Sequence, residues 1–585
     1  ASLDEYTLRV DNGTDEIVLE HILFGELWLA SGQSNMEFQN LSMPGCTEYL
    51  AALRDKPLRV FLQDYPEGRG KAEFPRTPSD ALGGKWITPD DANLMRCVSA
   101  LGTAFLAELT HYFRDRIPVG FLNASWGGTP INGWLPEDAL HTDPALAEKA
   151  EKLGVFAHAD AWNSYGEINF QQPFAMYNSK IAPLLGVRVR GVLWYQGEND
   201  CGGEFAARIY RQYLTCYHRV YSERFAADPL NFMMISSLLY PWAYGEDGDT
   251  SLGYLNQAFI DTATAQPHKF AFMPIADLPP VWSYHTKNHA IHPANKYDVG
   301  YRMALLAETN SYDRGSQRTP ATLDSWEVSG SRLLLRFKHA SSGLTIRGGH
   351  IRGLYVAGAD RVYMAAECEI VAPDTLAVWH PYLREPKNAA YGYASFEEEL
   401  NLFAGEFPVA SFATDQENRI VIEGKPWLDL ARPSVWAILP RDSALDVFYH
   451  PVWQPLGASE ICPDNAFTQS GLSLRICSDA ATFGASVKSY KYNRLDLYHY
   501  AALRVKLFNT DHLDAKLVLD CAGQAEPLEL PLVQKEDAGY GWHWYEASFA
   551  ALTACDIRRM SFVFTQKSSP LHFVNLESPV LIPRA

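Results

Sequence analysis

What most limits the folds open to this 585-residue chain is the rhythm of its apolar residues between positions 25 and 310. Short runs rich in Leu, Val, Ile and Phe alternate there with longer stretches whose apolar residues recur every three or four positions. The first pattern belongs to buried strands and the second to amphipathic helices. Strands are predicted over 26–30, 118–123, 187–195, 231–238 and 270–275, with helices over 100–113 and 205–225. Apolar strands joined by helical crossovers stack into a mostly parallel α/β sheet, doubly wound. Sites in such sheets gather at the carboxyl ends of the strands.

On either side of this block the period shortens. Residues 6–10 and 17–19 read as two strands around the turn Asp11-Asn12-Gly13, a strong hairpin signal. Two strands alone are marginal, so residues 1–24 are expected to join a β-sandwich. Beyond 310, segments 332–337, 361–364 and 375–379 are short strands between Gly, Asp and Ser turns, a β-sandwich domain over 311–428. Segments 503–508, 516–520, 542–545 and 560–564 predict a jelly-roll-like β domain over 429–585, suited to carbohydrate binding or to a structural role.

Composition narrows the partners. A formal net charge of −19 argues against nucleic acid, which needs a basic footprint. The longest apolar stretches, such as the one from Leu230 to Trp242, are broken by serines and a proline. They fall short of the roughly 20 residues that cross a bilayer, so no membrane partner is expected. Nine cysteines, none in a Cys-x-x-Cys pair, read mainly as buried thiols. They tilt toward a reducing, cytoplasmic setting, with periplasm or secretion as the alternative and one or two disulfides left open. The start, Ala1-Ser2-Leu3-Asp4, has neither initiator Met nor apolar leader and reads as a processing boundary silent about export.

Chemistry-bearing residues concentrate in four loops. Gly32-Gln33-Ser34-Asn35-Met36 follows the 26–30 strand, and its glycine permits a tight turn that presents a serine hydroxyl. A helix N-cap is the bland role for Ser34, and Met36 excludes the Gly-x-Ser-x-Gly elbow. Trp126-Gly127-Gly128-Thr129 offers backbone N–H groups of the kind an oxyanion hole needs. Tyr195-Gln196-Gly197-Glu198-Asn199-Asp200 supplies side-chain amides and acids. In the fourth loop, Ile291-His292-Pro293, the proline suits a first helical turn. That places His292 at a helix N-terminus whose dipole favours the neutral imidazole of a general base. Gln33, Trp126 and Trp134 border these loops as candidate substrate contacts, with Trp282 and Tyr284 as further aromatic platforms.

In this order the four motifs resemble the SGNH hydrolase superfamily, and within it sialate O-acetylesterases and related carbohydrate acetylesterases. The likeness continues through Gly353-Leu-Tyr-Val-Ala-Gly-Ala-Asp and Pro408-Val-Ala-Ser-Phe-Ala-Thr-Asp and covers about residues 17 to 425. It implies a flavodoxin-like SGNH catalytic domain over 25–310 and an acetylated carbohydrate substrate, with no metal or organic cofactor. It implies Ser34 as nucleophile and His292 as general base and acid. The oxyanion hole would comprise the N–H of Ser34, that of Gly127 or Gly128, and the Asn199 side chain, with Gln196 as a second donor. The superfamily commonly has an Asp three residues before the histidine, where this chain has His289. Glu198, Asp277 or a main-chain carbonyl would then orient His292, or serine and histidine act as a pair.

Two rival readings stand beside this one. His285, His289 and His292 have the spacing of metal ligands, which would make a metal-dependent hydrolase. Two β-sandwiches and 15 tryptophans also suit a non-catalytic carbohydrate-binding protein.

Overall fold

The computed structural model describes residues 1–43, 45–64, 74–160, 169–201, 204–226, 228–241, 251–278, 291–293, 295–312, 318–349, 351–359, 361–380, 383–393, 400–415, 421–422, 453–464, 473–488, 500–509, 512–521, 524–550, 552, 557–566 and 572–583. The chain divides into two compact units, one formed by Ala1–Tyr244, Asp249–Leu354 and Glu367–Arg419, the other mainly by Ile420–Ala585.

The first unit is built on a seven-stranded sheet. Its members are β3 (Glu26–Gly32), β4 (Leu58–Gln63), β5 (Gly84–Ile87), β6 (Val119–Ser125), β7 (Gly191–Tyr195), β8 (Met233–Ser237) and β9 (Phe270–Met273). They lie in the order β5-β4-β6-β3-β7-β8-β9. All neighbours run parallel except β4 and β5. Five of the six parallel strands are those predicted, and β4 adds a sixth. Every residue of β6, β7 and β8 is buried, as strands covered on both faces must be.

The topology itself locates a crevice. From β3 the chain passes over β6 to form β4, returns to β6, then crosses to β7 on the other side of β3. The order therefore switches at β3, and the loops leaving β3, β6 and β7 meet at adjacent carboxyl ends.

Helix packing brings up the fourth loop. The helix Lys296–Tyr312 lies along Ala100–Tyr112 so closely that a Cβ on Gly300 would fall 2.1 Å from the Leu101 carbonyl oxygen. Ser99 caps the earlier helix by accepting the Gly102 N–H at 3.1 Å. Asn40 ties the nucleophile loop to that helix through Thr103 Oγ1 and to the segment before it through Met95 O, both at 2.8 Å.

The N-terminal hairpin, β1 (Ser2–Asp11) and β2 (Glu16–Phe24), forms as predicted. It pairs with no other strand among the described residues, so the expectation that it joins a β-sandwich is not met there. Arg59 on β4 holds it through Glu5, at 2.9 Å, and the His21 carbonyl. Later in this unit, Thr322–Ser329, Arg332–Lys338, Glu367–Ala372 and Thr375–Trp379 make a four-stranded antiparallel sheet.

The second unit contains a five-stranded and a six-stranded antiparallel sheet. Leu474, Val505, Leu507 and Leu576 of the larger sheet and Phe483, Leu517, Leu519 and Phe562 of the smaller share one core. Cys521 is disulfide-bonded, whereas seven other cysteines among the described residues are free. No helix among the described residues is long and apolar enough to cross a membrane.

Candidate active site

The nucleophile loop is set by one glycine. Gly32 adopts φ +142, and a Cβ there would meet the Tyr195 carbonyl oxygen at 2.2 Å. Only glycine lets β3 turn this close to β7. The one-turn helix Ser34–Glu37 starts at once, with Gln33 at its N-cap position, so Ser34 is its first residue and not its cap. The Ser34 side chain is half-buried, and its Oγ lies 2.8 Å from His292 Nε2. That is hydrogen-bond distance between a hydroxyl and a potential base.

His292 does not stand at a helix N-terminus, because the helix begins at Lys296, not at Pro293. Asn295 makes the start: its Oδ1 accepts the Asp298 N–H at 3.2 Å, and its Nδ2 donates to the Asp298 carboxylate at 2.7 Å. The imidazole is nonetheless held neutral, its pKa pushed down to about 4 by burial first and by the nearby Lys296 ammonium second. The form expected of a general base is present for a different reason.

Neither proposed acid touches His292 among the described residues. Asp277 gives both oxygens to Arg302, each at 2.7 Å, in a buried bidentate pair. Glu198 is buried and accepts a hydrogen bond from Asn35 Nδ2, and the same amide donates to the Ile291 carbonyl at 2.7 Å. The acid thus acts on the residue before the histidine, through an amide bridge. Burial raises the Glu198 carboxyl to about 7. Lys296, fully buried, completes this floor, donating to the Pro293 carbonyl and lying 5.1 Å above the Phe38 ring and 5.3 Å above that of Tyr195. Burial lowers its ammonium to about 7, against the pull of Glu198. His285 and His289 lie outside the described residues, as do Trp282 and Tyr284.

Several expected contacts turn inward. Gln196 Nε2 donates to Gln33 Oε1 at 3.1 Å, to Thr129 O at 3.0 Å and to Asp200 Oδ2 at 2.5 Å, while its Oε1 accepts the Tyr210 hydroxyl. With its amide hydrogens so occupied, it is not placed as an oxyanion donor. Gln33, also buried, accepts the N–H groups of Gly197 and Asn199 and stitches the first loop to the third. Trp126 and Trp134 are fully buried, Trp126 edge-on to Phe74 and Trp134 edge-on to Trp194. Neither exposes a ring face on which a sugar could stack, so packing replaces the platform role.

Of the remaining donors, Gly127 passes close to Ser34. A Cβ on Gly127 would come within 3.1 Å of Ser34 Cβ, which measures how near this backbone passes to the nucleophile. The Gly127 N–H donates to Glu37 Oε2 at 2.6 Å. Asn199 is exposed, and its Oδ1 accepts Gln171 Nε2 at 3.4 Å while the same nitrogen donates to the Gly128 carbonyl at 3.0 Å. Fixing Oδ1 in this way leaves the Asn199 amide hydrogens for a ligand. Asn35, Lys296, Gln171 and Asp200 all support the site without having been assigned a role from sequence. Asn35 does stand inside a quoted motif, but its partner Glu198 is 163 positions away.

Residues 25–236 match the family model described as carbohydrate esterase, sialic acid-specific acetylesterase. Over this stretch the chain is similar to carbohydrate esterases of the sialic acid-specific acetylesterase family. It is 26% identical over 342 residues to a sialate O-acetylesterase of Rattus norvegicus, covering 53% of this chain and 60% of that one. The Homo sapiens sialate O-acetylesterase is 26% identical over 329 residues, covering 52% and 55%. The chain therefore spans somewhat over half the length of these relatives. Among solved structures, a carbohydrate acetylesterase from Xanthomonas citri is 27% identical with a TM-score of 0.58, covering 70% of this chain and 85% of that one.

Proposed function

We propose that this chain is a carbohydrate O-acetylesterase of SGNH-hydrolase type that works through a serine acyl-enzyme. The observation that carries this reading is the 2.8 Å contact between Ser34 Oγ and a neutral His292 at the switch point of a parallel sheet. In the mechanism, His292 Nε2 takes the hydroxyl proton as Ser34 Oγ attacks the acetyl carbonyl. The carbonyl oxygen becomes an oxyanion facing the N–H groups of Ser34 and Gly127 and the Asn199 amide, each such donor contributing about 3 kcal/mol. The C–O bond to the sugar breaks, and His292 returns its proton to the departing alkoxide. Water then repeats the sequence on the acetyl-enzyme and releases acetate.

Glu198 acts in this scheme as a positioning residue, steadying the His292 segment through Asn35 and the Ile291 carbonyl. Serine and histidine then operate as a pair with an indirect third member. For the second unit we propose an accessory carbohydrate-binding role of jelly-roll type. Phe508, Phe573 and Trp544, only partly buried on the face of the six-stranded sheet away from its core, favour it.

Acetate release from acetylated xyloglucan, xylan, mannan and O-acetyl sialic acids tests the proposal. Ser34→Ala should lower turnover on every active substrate by about a thousandfold or more. Undiminished turnover in that variant would overturn the serine mechanism.

A further inference from the structure

Glu37 occupies a curious place for an acid. It is the last residue of the one-turn helix that Ser34 opens, and its own N–H bonds to the Gln33 carbonyl at 2.9 Å, so its backbone is fixed beside the nucleophile. Its carboxylate Oε2 sits 2.6 Å from the Gly127 nitrogen. A Cβ built on Gly127 would touch Glu37 Oε2 and Ser34 Cβ equally, at 3.1 Å each. The carboxylate thus engages the backbone donor that the acyl oxygen needs once it carries negative charge.

Two negative oxygens cannot share one N–H in a partly buried site without strong repulsion. The side chain must swing off Gly127 before the tetrahedral intermediate forms. Glu37 is partly exposed, so a ligand can reach it. A carboxylate gives up one hydrogen bond most readily for another of equal quality, and a sugar hydroxyl offers one. A simple alkyl or aryl acetate does not.

We propose that Glu37 is a specificity-determining residue: it caps the Gly127 N–H in the free enzyme and is drawn away by a hydroxyl of an acetylated sugar. The oxyanion hole is then completed only when a polyol ester is bound, an induced fit that selects against plain acetates. This inference rests on the serine acyl-enzyme reading above.

The test compares kcat/KM for p-nitrophenyl acetate and for an acetylated xylo-oligosaccharide in wild type, E37Q and E37A. Both variants should hydrolyse p-nitrophenyl acetate several-fold faster and the sugar ester at least fivefold more slowly, compressing the preference tenfold or more. Equal losses on both substrates, or no change on either, would overturn the proposal, since a purely structural residue moves the two together. Should Ser34→Ala retain activity, the serine reading fails. Should Ser34→Ala be inactive while the Glu37 variants keep the wild-type preference, only this inference fails.

Discussion

At the level of single residues, the site depends on keeping an imidazole neutral with no carboxylate among the described residues in contact with it. Burial does most of this, and the Lys296 ammonium adds to it. Among the described residues, Lys296 bears on the ring directly, and Glu198 reaches the segment before it by way of Asn35 and the Ile291 carbonyl. Because the folded pKa of His292 is about 4, the acid limb of kcat/KM should have its midpoint near pH 4, activity falling as the ring protonates. Lys296→Met removes a repelling charge, so the limb should move up toward the ordinary imidazole value of 6.5. A pH–rate profile measures this, and an unmoved limb would mean burial alone sets the ring. Asn35→Ala tests the amide bridge. It should reduce kcat by about tenfold or more with little change in KM, as expected where positioning and not binding is lost. The candidate nucleophile and base were legible in the sequence because each sits in a short local motif. Their supports were not, because Asn35 meets Glu198 across 163 positions and Ile291 across 256. A side-chain amide in a motif does not announce which distant groups it will bridge.

Among the elements, the parallel strands were readable because burial on both faces leaves unbroken apolar runs, as in Val192-Leu193-Trp194. Helix boundaries were less so. Pro293 suits a first turn, yet the helix waits for Asn295, whose side-chain Oδ1 accepts the orphan Asp298 N–H as no proline side chain can. The close contact of Lys296–Tyr312 with Ala100–Tyr112 is what carries this loop to the serine, and Gly300 permits it. Gly300→Ala therefore sets two effects against each other. Helix propensity favours alanine by up to about 1 kcal/mol, while a Cβ 2.1 Å from a carbonyl oxygen forces the helices apart. Overpacking of this kind typically costs about 1–3 kcal/mol, so the steric term should win. A lower melting temperature together with reduced kcat is expected. A stabilised variant of full activity would show that the helix spacing has slack.

For the molecule as a whole, the relevant property is a net charge of −19. Such a field repels anions at distances set by the ionic strength, with a Debye length of about 30 Å at 0.01 M and below about 8 Å beyond 0.15 M salt. O-acetylated sialic acids carry a carboxylate, whereas acetylated xylan and xyloglucan fragments do not. If the crevice lacks a dedicated cation, raising the salt from 0.01 to 0.3 M should increase kcat/KM for an O-acetyl sialic acid by roughly two- to tenfold, because screening removes a barrier to encounter. The value for a neutral acetylated xylo-oligosaccharide should stay constant. The Glu37 carboxylate beside Ser34 pushes in the same direction at short range, where salt screens it less. The opposite outcome is equally informative. A sialic ester whose kcat/KM falls as salt rises must be drawn in by a positive group strong enough to overcome the global charge, and the enzyme would then be built for the anionic sugar.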